Sequence, residues 1–351
     1  MRTRWIVILG AVVVALIITA PTAVGPLIRQ ITYSSVKKLP NPRYQRGLNV
    51  MLYRTTSSAG FQSSMREWEN WDITDISLVI PLSQSGPYAD NIGAGALTPS
   101  DSQIRQAVTA LQGAGFRVML RPILDEKTLT PYGFWRGDIV PSSAAQWFRH
   151  YEAAIVHYAR LAASLHVASY DIGTELVSME GYTASWDSLI TQIKRVYQGR
   201  LLYSLNWTDL AVEPWFSSLN QIGLDAYFPL TVPGSPSVPT TTELQTAWHA
   251  WLSKLPKLPR PLVITEIGLL PAAGSYKTPY LWTLPHAVYS PTMQANYYIA
   301  SCAVWAPRTA GLYWWGVSWG TNATGVSLFT PTPPAVAALQ NCFQNNPRTT
   351  S

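Results

Sequence analysis

The sequence has few cysteines, few histidines and few charged residues for its 351 positions. Its two cysteines, Cys302 and Cys342, are forty residues apart without Cys-x-x-Cys spacing, which argues against a zinc or iron–sulfur site. The five histidines form no ligand pair on one strand or helix face, so a catalytic metal is not expected either. We therefore expect a protein that holds no metal and no cofactor.

Acidic residues are absent before Gly47, whereas seven of the 25 basic residues lie there. The rest of the chain has 18 basic and 19 acidic residues, so the formal net charge of +6 belongs to the N-terminal segment. A phosphate-binding surface on the main domain has no support in this composition, and nucleic acid is not an expected partner. Hydrophobic residues make up 47% of the chain, which excludes a disordered protein.

The N-terminal segment predicts a membrane element. The stretch Trp5–Ala20 has no charge, and its apolar character continues to the end of residues 1–28. This length suits an uncleaved signal-anchor helix, followed by a proline-containing linker over 29–46. A cleaved signal peptide is the alternative, although the residues two positions before Ala20 and Ala23, Ile18 and Pro21, are not small. We expect a single-pass membrane protein with an extracytoplasmic main domain, or a secreted one.

The main domain, over residues 47–345, alternates short β-rich apolar runs with amphipathic helical patterns, and a short tail follows over 346–351. Eight runs are predicted as strands: Leu48–Leu52, Asp75–Pro81, Arg117–Ile123, Ser169–Gly173, Leu201–Asn206, Gln221–Tyr227, Leu262–Glu266 and Gly311–Trp315. Eight such alternations favour a closed (β/α)8 barrel, a TIM barrel. The alternative is a doubly wound sheet, which needs a glycine-rich phosphate loop after its first strand. Residues 53–56, Tyr-Arg-Thr-Thr, are not such a loop.

The predicted helices place the two cysteines next to each other. Helical patterns cover Asp101–Ala114, Ser142–Leu165, Trp186–Tyr197, Thr242–Leu252, Pro291–Trp305 and Pro334–Phe343. In the barrel Cys302 lies on the seventh helix and Cys342 on the eighth, and these helices are neighbours in the outer ring. An exported domain favours a disulfide between them, and two buried thiols are the alternative.

Two glutamates end predicted strands, at the end of a barrel where active sites form. Glu175 ends strand four and Glu266 ends strand seven, and both strands are apolar enough that a carboxylate there is costly without a task or a partner. A pair of salt-bridged rim residues is the alternative. Strict alternation along each strand places Glu175 on the face of Asp171 and Glu266 on the face of Ile264.

These positions resemble a known group of enzymes. Glu175 and Glu266 match the clan A pattern of retaining glycoside hydrolases. Several further segments resemble glycoside hydrolase family 113 in particular, a family of β-mannanase-type barrels: Gly173–Gly181, Trp186, Gly199–Trp207, Phe134–Ile139 and Trp147–Tyr151. The resemblance covers nearly all of Gly47–Phe343. It implies a carboxyl pair in which Glu175 is the acid/base and Glu266 the nucleophile.

The chain departs from the clan A pattern at one position. Many members have asparagine immediately before the acid/base, where it contacts the sugar 2-hydroxyl. Thr174 stands there in this chain, and its hydroxyl has a shorter reach. The resemblance also implies that Tyr227, which ends strand six, donates a hydrogen bond to the nucleophile. A tyrosine packed at the barrel rim is the alternative.

Strands five and eight end in further candidates for substrate binding. Asn206 ends strand five, within reach of a sugar hydroxyl or of the Glu175 carboxylate. Trp207, Trp314 and Trp315 have aromatic faces that suit stacking on a pyranose ring, although most of the 15 tryptophans must pack in the core. Trp315 is preferred because it shares a strand face with Tyr313. Three other acids, Asp125, Glu126 and Glu180, are interpreted as solvated loop or rim charges.

The sequence thus predicts a monomeric retaining β-glycoside hydrolase that acts on a β-linked polysaccharide or oligosaccharide, mannan-like by family resemblance. A barrel of the cell envelope that binds glycan without cleaving it is an alternative, which two retained glutamates disfavour. A transglycosylase is another, because it uses the same two carboxylates and differs only in whether a sugar or water attacks the intermediate.

Overall fold

The computed structural model describes residues 44–56, 58–317 and 329–345. The predicted signal-anchor or signal peptide over 1–28, the linker up to residue 43 and the tail over 346–351 lie outside the described residues. None of the helices in the described ranges is both long enough and apolar enough to cross a membrane.

Eight parallel strands form a closed barrel, as the alternation of the sequence predicts. They are β1 Gln45–Met51, β2 Asp75–Gln84, β3 Arg117–Leu124, β4 Ser169–Thr174, β5 Arg200–Asn206, β6 Gln221–Asp225, β7 Leu262–Ile267 and β8 Gly311–Val317. Each strand pairs with the next, and β8 pairs with β1 to close the barrel. A two-residue strand, Ile92–Gly93, pairs antiparallel with the end of β2. The first strand begins inside the predicted linker, because Gln45 already pairs with Gly311.

Helices cover the outside of the barrel. They are α1 Ser58–Asn70, α2 Asp101–Gly113, α3 Ala144–Ser164, α4 Val177–Glu180, α5 Thr183–Val196, α6 Thr241–Leu252, α7 Pro291–Trp305 and α8 Pro333–Asn345. Side chains with hydroxyl groups set several helix starts. Ser100 caps α2 and Thr240 caps α6, each in a reciprocal capping box with the residue three positions later. Between β5 and β6 the connection is a 3-10 helix, Pro214–Ser218, in place of an α-helix.

The predicted disulfide is confirmed. Cys302 on α7 and Cys342 on α8 are bonded, with Cα atoms 5.8 Å apart. This separation falls within the range of about 4.4–6.8 Å that disulfides span. The bond closes a segment of forty residues that includes β8, and it ties the last two helices of the ring together on the outside of the barrel.

The barrel interior changes character along its axis. Met119, Leu202, Val263 and Tyr313 form a small apolar layer inside the barrel. The next layer toward the C-terminal ends of the strands is polar and centres on Arg121, whose side chain has no solvent exposure. Since the carboxyl ends of the strands form the functional face of such barrels, this polar layer lies directly beneath the candidate site.

Candidate active site

Strands β4 and β7 each contain one extra residue near the C-terminal end. The pairing of β4 with β5 passes from Asp171↔Leu202 to Thr174↔Ser204, so three steps on β4 match two on β5. On β7 the extra residue follows Ile264, because the pairing with both neighbouring strands changes register after that residue. Bulges of this kind redirect side chains next to active sites. The strict alternation expected from the sequence is therefore wrong at both strand ends.

The consequence of the first bulge is visible in the contacts of Arg121. Both Asp171 and Thr174, three residues apart on β4, contact its guanidinium inside the barrel, at 3.1 Å each. Beyond them Glu175 has a backbone φ of +54°, in the left-handed region. A residue with a side chain pays about 1–2 kcal/mol for this conformation, so the surrounding contacts must enforce it.

Both carboxylate oxygens of Glu175 accept hydrogen bonds at 2.6 Å. Asn206 Nδ2 donates to Oε1, and Arg136 Nη1 donates to Oε2. The Asn206 amide is itself oriented, because its Oδ1 accepts from the backbone N–H and the hydroxyl of Thr208. Of the two partners expected for Asn206, the structure shows the Glu175 carboxylate. Arg136 comes from the 3-10 helix Arg136–Asp138, inside a loop that resembles the family.

The second glutamate has different partners. Tyr227 donates a hydrogen bond to Glu266 Oε2 at 2.9 Å, which is the contact implied by the resemblance. Arg121 Nη1 lies 2.8 Å from Oε1 in a close ion pair, although its N–H is not aligned as a hydrogen bond. Because Thr265 also reaches the interior, where its hydroxyl bonds to Asp225 at 2.8 Å, two consecutive residues of β7 face the same network.

Arg121 holds this network together from the centre of the barrel. Its Nη2 donates to both carboxylate oxygens of Asp225, at 3.0 and 2.8 Å, and its Nε lies 3.1 Å from Asp171. Burial disfavours its charge, but the carboxylates outweigh that effect and raise the pKa of Arg121. One fully buried cation therefore faces three carboxyl groups, those of Asp171, Asp225 and Glu266.

Burial raises the pKa of both catalytic candidates. For Glu175 the charge of Asp225 adds to the rise, whereas Arg136 and the Asn206 hydrogen bond oppose it. For Glu266 burial and Asp225 raise the pKa well above its ordinary value, and Arg121 opposes them. Burial also raises the pKa of Asp171 to about 6. The site thus has more carboxyl groups than cations, and such an arrangement retains protons.

The model of Glycoside Hydrolase Family 113 matches residues 53–325. The chain belongs to glycoside hydrolase family 113. A solved β-1,4-mannanase of this family aligns over 86% of this chain and 99% of its own, with 18% identity and a TM-score of 0.71. A second, the β-mannanase of Alicyclobacillus acidocaldarius in complex with ManMIm, covers 86% and 97%, with 20% identity and a TM-score of 0.69.

More distant barrels share the fold. A β-glucuronidase from Bifidobacterium dentium aligns over 88% of this chain and 47% of its own, with 11% identity and a TM-score of 0.57. No curated protein matches the chain in sequence. At these identities the structural alignments show a common fold, and the family membership rests on the family model.

The three candidate tryptophans of this glycoside hydrolase lie in two different environments. Trp315 and the half-buried Trp207 belong to the apolar cluster that contains Tyr227. The prediction that Trp314 binds substrate is wrong, because its ring is fully buried and stacks on Tyr298 of α7, with centroids 3.7 Å apart. Adjacent residues on a strand point to opposite faces, so Trp314 points to the helices and Trp315 to the interior.

Thr174 is buried, and its hydroxyl accepts a hydrogen bond from Arg121 Nε.

The interpretation of Glu126 and Glu180 as solvated charges is wrong. Glu126 forms an ion pair with Arg136 at 3.2 Å. Glu180, on α4, is 3% exposed and accepts a hydrogen bond from Tyr203 at 2.7 Å. Asp125 caps a short 3-10 helix by accepting from the Lys127 N–H.

Sequence reasoning missed the two arginines and Asp225. Arg121 is the one charge within β3 after its first residue, in the run Val-Met-Leu-Arg-Pro-Ile-Leu, and it shares the inward face with Met119 and Ile123. A lone buried cation on such a face signals buried carboxylates nearby. Arg136 has no comparable signal, because its loop has no regular periodicity. In the described part of the chain, no group of three or more potential ligands is arranged to hold a metal.

Proposed function

We propose that this chain is a retaining β-glycoside hydrolase that acts on a β-linked, mannan-like polysaccharide or oligosaccharide. The observation that carries the proposal is the pair of buried glutamates at the ends of β4 and β7, each with its own cation. Glu175 is paired with Arg136 and Glu266 with Arg121. Retaining hydrolysis needs two carboxyl groups with separate tasks, and different surroundings provide that separation.

In the first step Glu266 attacks the anomeric carbon as a carboxylate. Burial and the charge of Asp225 raise the pKa of Glu266, and the ion pair with Arg121 and the hydrogen bond from Tyr227 stabilise its ionised form against that rise. Glu175 donates its proton to the glycosidic oxygen, so the bond from that oxygen to the anomeric carbon breaks. The products are a free leaving-group sugar and a glycosyl ester on Glu266.

In the second step Glu175, now ionised, takes a proton from water. The water oxygen attacks the anomeric carbon and displaces the Glu266 carboxylate, with net retention of configuration. Arg136 and Asn206 favour the ionised Glu175 that this step requires. We expect the two carboxyl groups to lie about 5–5.5 Å apart, because a retaining site leaves no room for a water between nucleophile and sugar.

The substrate class rests on two kinds of support. The aligned structures of this family are β-mannanases, among them a β-1,4-mannanase. Trp315 and Trp207 lie in the apolar cluster of Tyr227, which bonds to the nucleophile candidate Glu266, and their aromatic faces suit stacking on sugar rings. We also propose that Thr174 takes part in binding near the sugar 2-hydroxyl, in the place of the more common asparagine.

Location and assembly are further parts of the proposal. The confirmed disulfide fits an oxidising compartment outside the cytoplasm. We propose a monomeric, extracytoplasmic hydrolase that is either tethered by residues 1–28 or released after their removal. Its partners are then the glycan substrate and, in the tethered form, the membrane.

The test is a reducing-sugar assay of the full chain on mannan, glucomannan, cellulose and xylan. Truncation at Gly47 is unsuitable, because Gln45 is buried and bonds to both Gln221 and Tyr313. We expect new reducing ends from mannan and glucomannan, and NMR should show β-configured products at early times. Release of α-configured products would rule out retention. Binding to mannan without any turnover would instead identify a glycan-binding barrel.

A further inference from the structure

The helical turn that follows Glu175 is held by side chains from other elements. This turn, α4 Val177–Glu180, has buried backbone carbonyls that receive hydrogen bonds from two tryptophans. Trp186 Nε1 of α5 donates to Met179 O at 2.9 Å, and Trp215 Nε1 donates to Glu180 O at 3.0 Å. The two indole rings stack with centroids 4.6 Å apart, so they form one rigid support.

The hydroxyl of Tyr203 joins the two ends of the same turn. It accepts a hydrogen bond from the backbone N–H of Leu176 at 2.9 Å and donates one to Glu180 Oε1 at 2.7 Å. Leu176 is 1% exposed and Tyr203 is fully buried, so water does not replace either bond. Since a buried N–H group needs a partner, the Leu176 amide depends on this phenol.

Leu176 is the residue immediately after Glu175, whose backbone is left-handed. Strand β5 supplies contacts on both sides of this strained residue. Ser204 O accepts from the Glu175 N–H at 2.8 Å, and the Tyr203 hydroxyl accepts from the next N–H along the chain. The absence of a side chain at Gly173 permits this approach, because a Cβ there would lie 2.8 Å from the Tyr203 ring.

We propose that Tyr203 and Glu180 are positioning residues for the acid/base Glu175. The Glu180 carboxyl orients the Tyr203 hydroxyl, the hydroxyl fixes the Leu176 amide, and the amide fixes the left-handed backbone from which the Glu175 side chain extends. This inference rests on the proposed function, because it assigns a geometric task that matters only where Glu175 transfers a proton.

Glu180 suits this task as a neutral acid. Burial, with a smaller contribution from the nearby acids Asp209, Glu213 and Glu175, raises its pKa to about 8 against the opposing hydrogen bond from Tyr203. A neutral carboxyl still offers an oxygen to the Tyr203 hydroxyl without placing a second negative charge beside Glu175. Glutamine has the same shape and the same acceptor, and it is therefore the conservative replacement.

The experiment compares Tyr203→Phe, Glu180→Leu and Glu180→Gln with the wild type on two substrates. One substrate is a β-1,4-linked mannan oligosaccharide, whose leaving group needs protonation. The other is a dinitrophenyl β-mannoside, whose leaving group does not. We expect Tyr203→Phe and Glu180→Leu to lower kcat on the oligosaccharide by about 10- to 100-fold, since general acid catalysis contributes about 10²–10⁴. KM and the rate of glycosylation by the aryl mannoside should change little. Glu180→Gln should keep the kcat on the oligosaccharide that Glu180→Leu loses.

The matched control is Tyr197→Phe. Tyr197 is also buried and donates its hydroxyl to a backbone carbonyl, that of Val167, at 2.8 Å, but it does not touch the α4 turn. We expect this variant to treat the two substrates as the wild type does. Thermal unfolding of every variant separates loss of fold from loss of position, and Glu180→Leu carries the test if Tyr203→Phe does not fold.

Three outcomes would overturn the inference. Equal losses on both substrates would indicate general damage, and wild-type kinetics in Tyr203→Phe would show that the phenol positions nothing. A large loss in Glu180→Gln would show that the carboxyl acts in another way. Glu175→Ala is measured alongside. If only that variant shows a loss that depends on the leaving group, this inference fails and the proposed function stands. If the wild type shows no turnover, both proposals fail.

Discussion

The two catalytic candidates are held by different parts of the molecule. Glu266 is bound from inside the barrel, by Arg121 on β3 and by Tyr227, two residues after β6. Glu175 extends from a strained turn and is bound from the rim, by Arg136 in a loop and by Asn206. Arg121 has no exposure, whereas the Arg136 side chain is 17% exposed.

This difference fits the two proposed roles. A nucleophile works in one charge state, so a cation fixed by the barrel is an advantage. An acid/base alternates between two charge states, and a partner on a loop allows its surroundings to adjust as the proton leaves and returns. The comparison therefore predicts that the two glutamates respond differently to substitution of themselves and of their cations.

The largest effect is expected from the glutamates themselves. Glu266→Ala should abolish turnover of every substrate, by about 10⁴-fold or more, because the nucleophile is needed in the first step. Glu175→Ala should lose about 10²–10⁴-fold on mannan oligosaccharides but much less in the glycosylation step of a dinitrophenyl mannoside. Pre-steady-state release of dinitrophenol measures that step directly.

Azide provides the control for this pair. It can replace water in the second step without base catalysis, so it should rescue Glu175→Ala and give a β-glycosyl azide. Glu266→Ala should not form that β-product. An equal loss from both variants in the burst of dinitrophenol would contradict the division of roles.

The next largest effect concerns the cation inside the barrel. Arg121→Met leaves Asp171, Asp225 and Glu266 buried without their cation, and we expect the free energy of unfolding to fall by about 3–5 kcal/mol. Urea denaturation at pH 7 measures it. Since the pKa of Asp171 is about 6, protonation at pH 5 should reduce the difference from wild type.

A second arginine on the same strand is the matched control for Arg121. Arg117 pairs with Asp75 at 2.6 Å, but its side chain is 16% exposed. Arg117→Met should cost less than Arg121→Met and should leave the glutamates undisturbed. If both substitutions lower the free energy of unfolding by the same amount, the burial of the Arg121 network is not the reason for the effect of Arg121→Met.

A change outside both sets of contacts calibrates the comparison. Replacing Cys302 and Cys342 by serine removes the disulfide, which closes a forty-residue segment. The chain-entropy relation gives a loss of about 3–4 kcal/mol in the free energy of unfolding. Because the bond lies on the outer helices, kcat at a temperature where the protein is folded should not change. A fall in kcat without unfolding would show that α7 and α8 support the site.

The smallest effect is a shift of pH dependence. Arg136 lowers the pKa of Glu175, so Arg136→Gln should raise that pKa. The acid is active when protonated, and activity falls as pH rises through its pKa. The basic limb of kcat/KM should therefore move to higher pH. Arg105→Gln on α2 is the control, since Arg105 bonds to Ser164 on the surface. A shift to lower pH would contradict the assignment of Glu175 as acid.

The fold was largely predictable because each barrel strand is short, apolar and separated from the next by a helical pattern. All eight predicted strands are present, and the cysteines on the last two helices are bonded. Glu175 and Glu266 also stood out in the sequence, since each is an acid at the end of an apolar strand. The residues around the two glutamates were harder to predict from the sequence, because Arg136 and Glu180 lie in segments without periodicity.

The sequence by itself determined the barrel, the disulfide partners and the two glutamates, since periodicity and charge placement are local properties of the chain. Only the tertiary structure decided which face those glutamates adopt. An extra residue in β4 and another in β7 interrupt the alternation, and a bulge depends on the pairing of two strands that are distant in sequence. The same holds for Arg121 and Glu180, because a buried charge is defined by partners that the closed barrel brings together.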